Sequence, residues 1–153
     1  MKYQFSLLLT IASSNLWAQT SQFISGFKDD PIDGIHRYVS NGDLQFHQFS
    51  DTPDSVVVFG ISNSYFCEDE AFYVQFAIWV NGAWKNSEIV LFPYNASEWA
   101  YADFPISDPF IQDLIKGSKY VYRYDDAHCS IERGEGSLSG VTAGFNKARI
   151  PLK

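Results

Sequence analysis

Between Ala71 and Val80 the chain alternates two residue sets with a period of two. Phe72, Val74, Phe76 and Ile78 fall on one side, and Tyr73, Gln75, Ala77 and Trp79 on the other. Alternation of this kind puts successive side chains on opposite faces of a strand. Asn81-Gly82 follows, a dipeptide suited to the positive φ angles of a type I′ turn, and Ala83-Trp84-Lys85 begins a return strand. A two-faced hairpin is thus written into the middle of the chain, and the remainder has to build a sheet around it.

The same signals recur elsewhere. Two short runs between Ile35 and Phe49 flank Asn41-Gly42, a second hairpin signal. Val56 to Phe59 is a β-branched run expected to be buried on both faces, and Ile89 to Phe92 is another apolar run, ended by Pro93. Tyr120, Tyr122 and Tyr124 alternate with Val121 and Arg123 as a two-faced strand. Helix signals are sparse. Ser107 is expected to cap a short helix that starts with Asp108 and Pro109, carries Phe110, Ile111, Leu114 and Ile115 at helical spacing, and stops at Gly117. A second short helix is expected over Val141 to Ala148, weakened by Gly144. Gln19 to Asp33 is polar and reads as a loosely held arm. The fold class is mainly β with a minor α component: a compact antiparallel sheet or small sandwich carrying one or two short helices.

The N-terminus has the layout of a secretory signal peptide. Lys2 is a short positive region, Phe5 to Ala12 an uncharged apolar run, and Leu16-Trp17-Ala18 leads to an expected cleavage after Ala18. That apolar run is far shorter than the ~20 residues of a spanning helix, and no later stretch is long and apolar enough to span. Residues 19–153, about 135 residues, then make one exported domain with one core. The chain carries a net charge of -7, which becomes about -8 without Lys2. An acidic surface repels phosphate backbones and anionic headgroups, so nucleic acid and membrane are poor partners, whereas basic proteins remain open. Cys67 and Cys129 are the two cysteines. In an oxidising compartment they are expected to form one disulfide closing a loop of about 60 residues, worth roughly 3–4 kcal/mol through the unfolded state.

Catalytic signals are weak. His36 and His47 lie on opposite arms of the first hairpin, out of direct opposition, and read as ordinary strand histidines rather than a metal pair. His128 sits beside Asp125, Asp126 and Cys129, where a His-Asp pair can shuttle protons. Gly136-Ser137-Leu138-Ser139-Gly140 has leucine where a nucleophile elbow needs serine. Asp29, Asp30 and Asp33 lack the ladder of a calcium loop, and Glu68, Asp69 and Glu70 are adjacent and so point apart on a strand. No catalytic residue, metal or cofactor is implied. The aromatic residues are more suggestive: Trp79, Trp84, Trp99 and Tyr101 make a candidate binding face for protein or glycan, with Trp84 the one expected to be exposed, against the alternative that they fill the core.

The C-terminal third runs Phe104-Pro105-Ile106, Pro109-Phe110-Ile111-Gln112-Asp113-Leu114 and Gly117-Ser118-Lys119. Tyr120 to Tyr124 follow, then Gly136-Ser137-Leu138-Ser139-Gly140 with Ala143, Phe145 and Ala148. In this pattern the chain resembles small exported bacterial proteins of the invasion-associated locus B-like group and the TagO-like periplasmic accessory proteins of type VI secretion. The resemblance implies an envelope protein without catalytic residues. The expected function is that of a non-enzymatic periplasmic or secreted binding protein acting through a protein partner in the envelope. The alternatives are an immunity-type inhibitor masking a basic exported toxin and a small hydrolase using His128 with Asp125 or Asp126.

Overall fold

The computed structural model describes residues 22–32, 34–62, 66, 70–93, 98–125 and 131–152. In chain order they form β1 (Ile24–Asp30), β2 (Gly34–Ser40), β3 (Leu44–Gln48), β4 (Val56–Ser62), β5 (Phe72–Val80), β6 (Ala83–Pro93), β7 (Trp99–Pro105), α1 (Pro109–Lys116), β8 (Lys119–Asp125), β9 (Ile131–Ser137) and α2 (Val141–Ala148). All neighbouring strands are antiparallel, in the order β1-β2-β3-β4-β7-β6-β5-β8-β9. Among the described residues no helix is long and apolar enough to cross a membrane.

The sheet has a weak joint. β5 and β6 pair from Phe72↔Leu91 to Val80↔Ala83, whereas β6 and β7 share only Phe92↔Tyr101 and Pro93↔Ala100. At that joint the sheet folds back on itself. Phe59 of β4 meets Phe76 of β5 at a ring-centroid distance of 5.9 Å, although β7 and β6 separate the two strands within the sheet. The edge strands approach as well, since Ser25 of β1 and Ser137 of β9 line one cleft with α2. The core fills the concave side. Phe46, Phe59, Phe76, Phe110 and Phe145 are buried there among Val57, Ile61, Leu91, Ile111 and Leu114.

Period-two alternation placed these side chains. In β5 the even-numbered residues are buried and Tyr73 and Gln75 are exposed, as the sequence predicts. β4 is buried on both faces, again as expected. The second hairpin turns on Asn81 (φ 51°) and Gly82 (φ 83°), the left-handed pair of a type I′ loop. The first hairpin departs from expectation. Its tip is Gly42-Asp43, because the Asn41 side-chain oxygen accepts from the N–H groups of Asp43 (3.1 Å) and Leu44 (2.7 Å) and draws Asn41 into the ladder.

Several other expectations are corrected. Part of the polar arm over 19–33 is strand β1, paired along its length with β2 and covered by α2. The run from Ala83 to Pro93 is one strand rather than two segments, and β7 was not foreseen. β9 was missed because Gly134 and Gly136 weaken a strand signal. They stand directly opposite Tyr122 and Tyr120, and a Cβ at either position would lie within 3 Å of the facing ring. The glycines therefore make room for the tyrosine ladder, whose rings stack at 6.2 and 6.4 Å. The helix α1 is capped by Asp108 rather than Ser107: Asp108 has extended backbone, and its carboxylate accepts from Phe110 N at 2.8 Å. Helix α2 keeps Gly144 because a Cβ there would meet Val39 Cγ1 at 2.7 Å, so the glycine sets how closely the helix sits on β2.

Candidate functional site

On the convex side of β2, β3, β4 and β7, strand alternation gathers rings. Tyr38 stands opposite His47, His47 opposite Val58, and Val58 opposite Asp103. Trp99 is opposite Ser62 in register, yet its ring leans over Gly60, where a Cβ would lie 2.9 Å away, to meet His47 edge-on at 5.1 Å. Tyr101 lies 6.0 Å from Trp99 by ring centroids and opposite Phe92, an exposed ring on β6. Phe49, just past β3, stacks on His36 at 4.7 Å.

The two histidines, set aside by sequence reasoning because they are not directly opposed, meet as diagonal neighbours across the β2–β3 ladder. His36 Nε2 lies 2.8 Å from His47 Nδ1, and His47 Nε2 lies 3.0 Å from Gln45 Oε1. Gln45 Nε2 donates in turn to Ser62 Oγ at 2.6 Å. The carbonyl of Gln45 accepts, so His47 donates through Nε2 and accepts at Nδ1 from His36. Neutral imidazoles satisfy this chain of donors. Burial, then the neighbouring His36, pushes the His47 pKa down to about 4, and burial followed by Lys28 lowers that of His36.

This arrangement carries a pH dependence of definite sign. The unfolded His47 takes up a proton near pH 6.5, the folded one only near 4, so stability falls as pH drops through that window. Between pH 7 and 4.5 the wild type is expected to lose about 2 kcal/mol more than His47→Gln, which has no such proton to bind. Urea denaturation of both proteins at the two pH values measures the difference. Parallel losses would show that His47 is as free to protonate when folded as when unfolded.

Beside the histidines lies a groove of about 400 Å³, with Val56 and Val58 at its base and Phe49, Trp99 and Tyr101 among its walls. Asp51, Thr52 and Pro53 of the turn before β4, and Asp103 of β7, complete it. Aromatic rings attract cations through their faces, and carboxylates attract them by charge, so the groove suits a positively charged group on an apolar stem. Among the described residues no group of three His, Cys, Asp or Glu is placed to hold a metal ion.

The candidate aromatic face divides in two. Trp99 and Tyr101 belong to the groove. Trp79 and Trp84 stand opposite one another beside the β5–β6 turn, rings 5.3 Å apart, with Trp84 48% exposed. Eight residue steps along β6 lead from Trp84 to Phe92, roughly 26 Å of strand. Cys67 and Cys129, with their expected disulfide, lie outside the described residues, as do Asp33, Glu68, Asp69, Asp126 and His128. Sequence reasoning missed Phe49, Asp51 and Asp103. The polar turn from Ser50 to Asp54 held the one available signal, since such turns cap the ends of strands. No family model, curated protein or solved structure matches the chain.

Proposed function

We propose that this chain is an exported, non-enzymatic binding module of the bacterial envelope, and that its groove receives a basic side chain from a protein partner. One observation carries the reading: Trp99, Tyr101 and Phe49 share a single groove with Asp51 and Asp103. A lysine or arginine entering it lays its aliphatic stem on Val56 and Val58 and its charge among rings and carboxylates. The acidic net charge of -7 favours encounter with a basic partner over long range. The donor chain through His36 and His47 backs the wall and is neutral at pH 7, so it does not oppose the incoming cation.

The test is capture from envelope extract by the mature protein, its Trp99→Ala variant and its Asp103→Asn variant. A basic protein retained by the wild type, released by salt and lost from both variants is the expected result. Central aromatic anchors are worth about 2 kcal/mol or more, so Trp99→Ala should weaken the isolated complex roughly thirtyfold. Identical capture by all three proteins, or retention of acidic partners alone, would remove the groove from the function.

A further inference from the structure

The convex face of the other half of the sheet bears a second concavity of about 600 Å³, whose charged lining is Arg123, Arg133 and Glu88. Register places the outward side chains of β6, β5, β8 and β9 in rows. One row reads Glu88–Gln75–Arg123–Arg133, the next Asn86–Ala77–Val121–Glu135, and the third Trp84–Trp79–Lys119–Ser137. Ala77 and Val121, small and central, make the floor of a trough edged by Arg123 and Arg133, and the row of Trp84 and Trp79 lies next to that floor, just beyond the trough's lining.

Arg123 and Arg133 are direct cross-strand partners. Like charges in that position repel, and the pair stands on a chain with only 11 lysines and arginines against 18 acids. Both are held in place. Gln75 Oε1 accepts from Arg123 Nε at 2.8 Å, and its amide reaches Glu88 Oε2 at 3.4 Å. Arg133 Nη2 donates to Glu135 Oε2 at 3.3 Å. Anchoring Arg123 through Nε leaves its terminal nitrogens for a planar oxyanion, and a carboxylate between two guanidinium groups relieves their repulsion.

We propose that this trough binds a short acidic saccharide, with a carboxylate between Arg123 and Arg133 and a sugar ring against Trp79. Four residue steps along β5 lead from Gln75 to Trp79, about 13 Å, so the ligand spans more than one ring. Gln75 and Asn86 supply donors and acceptors for hydroxyl groups along the way. An acidic peptide is the competing ligand, since β6 pairs with β7 only at Phe92 and Pro93 and so leaves an edge beside the trough, and triglutamate tests that alternative.

Calorimetric titration of the mature protein with trimers of galacturonate and of mannuronate tests the assignment, with methyl-esterified trimers and triglutamate as comparisons. At least one free-acid trimer is expected to bind, its ester at least tenfold more weakly. Arg123→Gln, Arg133→Gln and Trp79→Ala should each reduce affinity tenfold or more while circular dichroism stays unchanged. Trp99→Ala, in the separate groove, should leave saccharide binding intact, so failure here is distinguishable from failure of the basic-partner reading. Equal binding of acid and ester, equal or tighter binding of triglutamate, or no binding of any trimer would each overturn the proposal.

Discussion

Replacing Phe59 by alanine is expected to cost about 4 kcal/mol of folding stability, the upper range for truncating a buried aromatic ring. Its ring has no solvent exposure and contacts four others: Phe46 at 5.2 Å, Phe76 at 5.9 Å, Phe104 at 6.2 Å and Phe110 at 5.2 Å. Those partners come from β3, β5, β7 and α1, so the cavity opens where the two halves of the sheet and the first helix meet. The surrounding residues cannot collapse into it easily, because each is held by a different element. Single domains have only about 5–15 kcal/mol in total, so this one substitution removes a large share. Phe59→Leu keeps most of the volume and is expected to cost about 1.5 kcal/mol, and Tyr73→Ala, at a position 66% exposed, well under 1. Denaturant midpoints with unchanged slopes give all three values. A loss below about 2 kcal/mol for Phe59→Ala would mean that the halves are held together elsewhere.

How much of this was legible beforehand follows from what each segment's neighbours supply. The period-two pattern over 71–80 and the Asn81-Gly82 turn carry their own instruction, and β5, the turn and the start of β6 appear where the sequence puts them. β1 and β9 carry no such pattern. They are edge strands, made to fit by Tyr38 packing over Gly26 and by the tyrosines over Gly134 and Gly136, and such fits are visible only once the partner strand is known. The site followed the same division. Trp99 and Tyr101 were picked out by residue type, but the groove depends on which residues face them across β4, and on Phe49 and Asp51, 48 or more positions earlier in the chain, being brought alongside. The His36–His47 contact was overlooked for a geometric reason, since direct opposition is not the only way two strand residues meet. A diagonal pair lies within reach of rings, and the position of the turn tip decides which diagonal is formed.

That turn tip is also the second place where one substitution should have a large effect. Asn41 is 6% exposed, and each end of its amide is used. Its oxygen accepts from Asp43 N and from the buried Leu44 N, and its nitrogen donates to the Tyr120 hydroxyl at 3.1 Å. Tyr120 donates in turn to Asp43 Oδ2 at 3.2 Å, so the hairpin tip of one half of the sheet is tied to the tyrosine ladder of the other. Asn41→Ala leaves a buried N–H without its acceptor and the hydroxyl without its donor, and is expected to cost about 3 kcal/mol. Asn41→Asp separates the two roles. The carboxylate still accepts from Leu44 N, but it cannot donate to Tyr120 and places a buried charge beside Asp43. Its folded pKa should therefore rise above the unfolded value, so the Asp variant loses stability as pH rises through the carboxylate range and recovers part of it on acidification. Urea denaturation at pH 7 and pH 5 distinguishes the cases: the gap between Asn41→Asp and wild type should narrow at pH 5, whereas that between Asn41→Ala and wild type should not. If the Ala variant costs less than about 1 kcal/mol, the bond to Tyr120 does not hold the halves together, and hydrophobic contacts such as Phe59 with Phe76 hold the joint unaided.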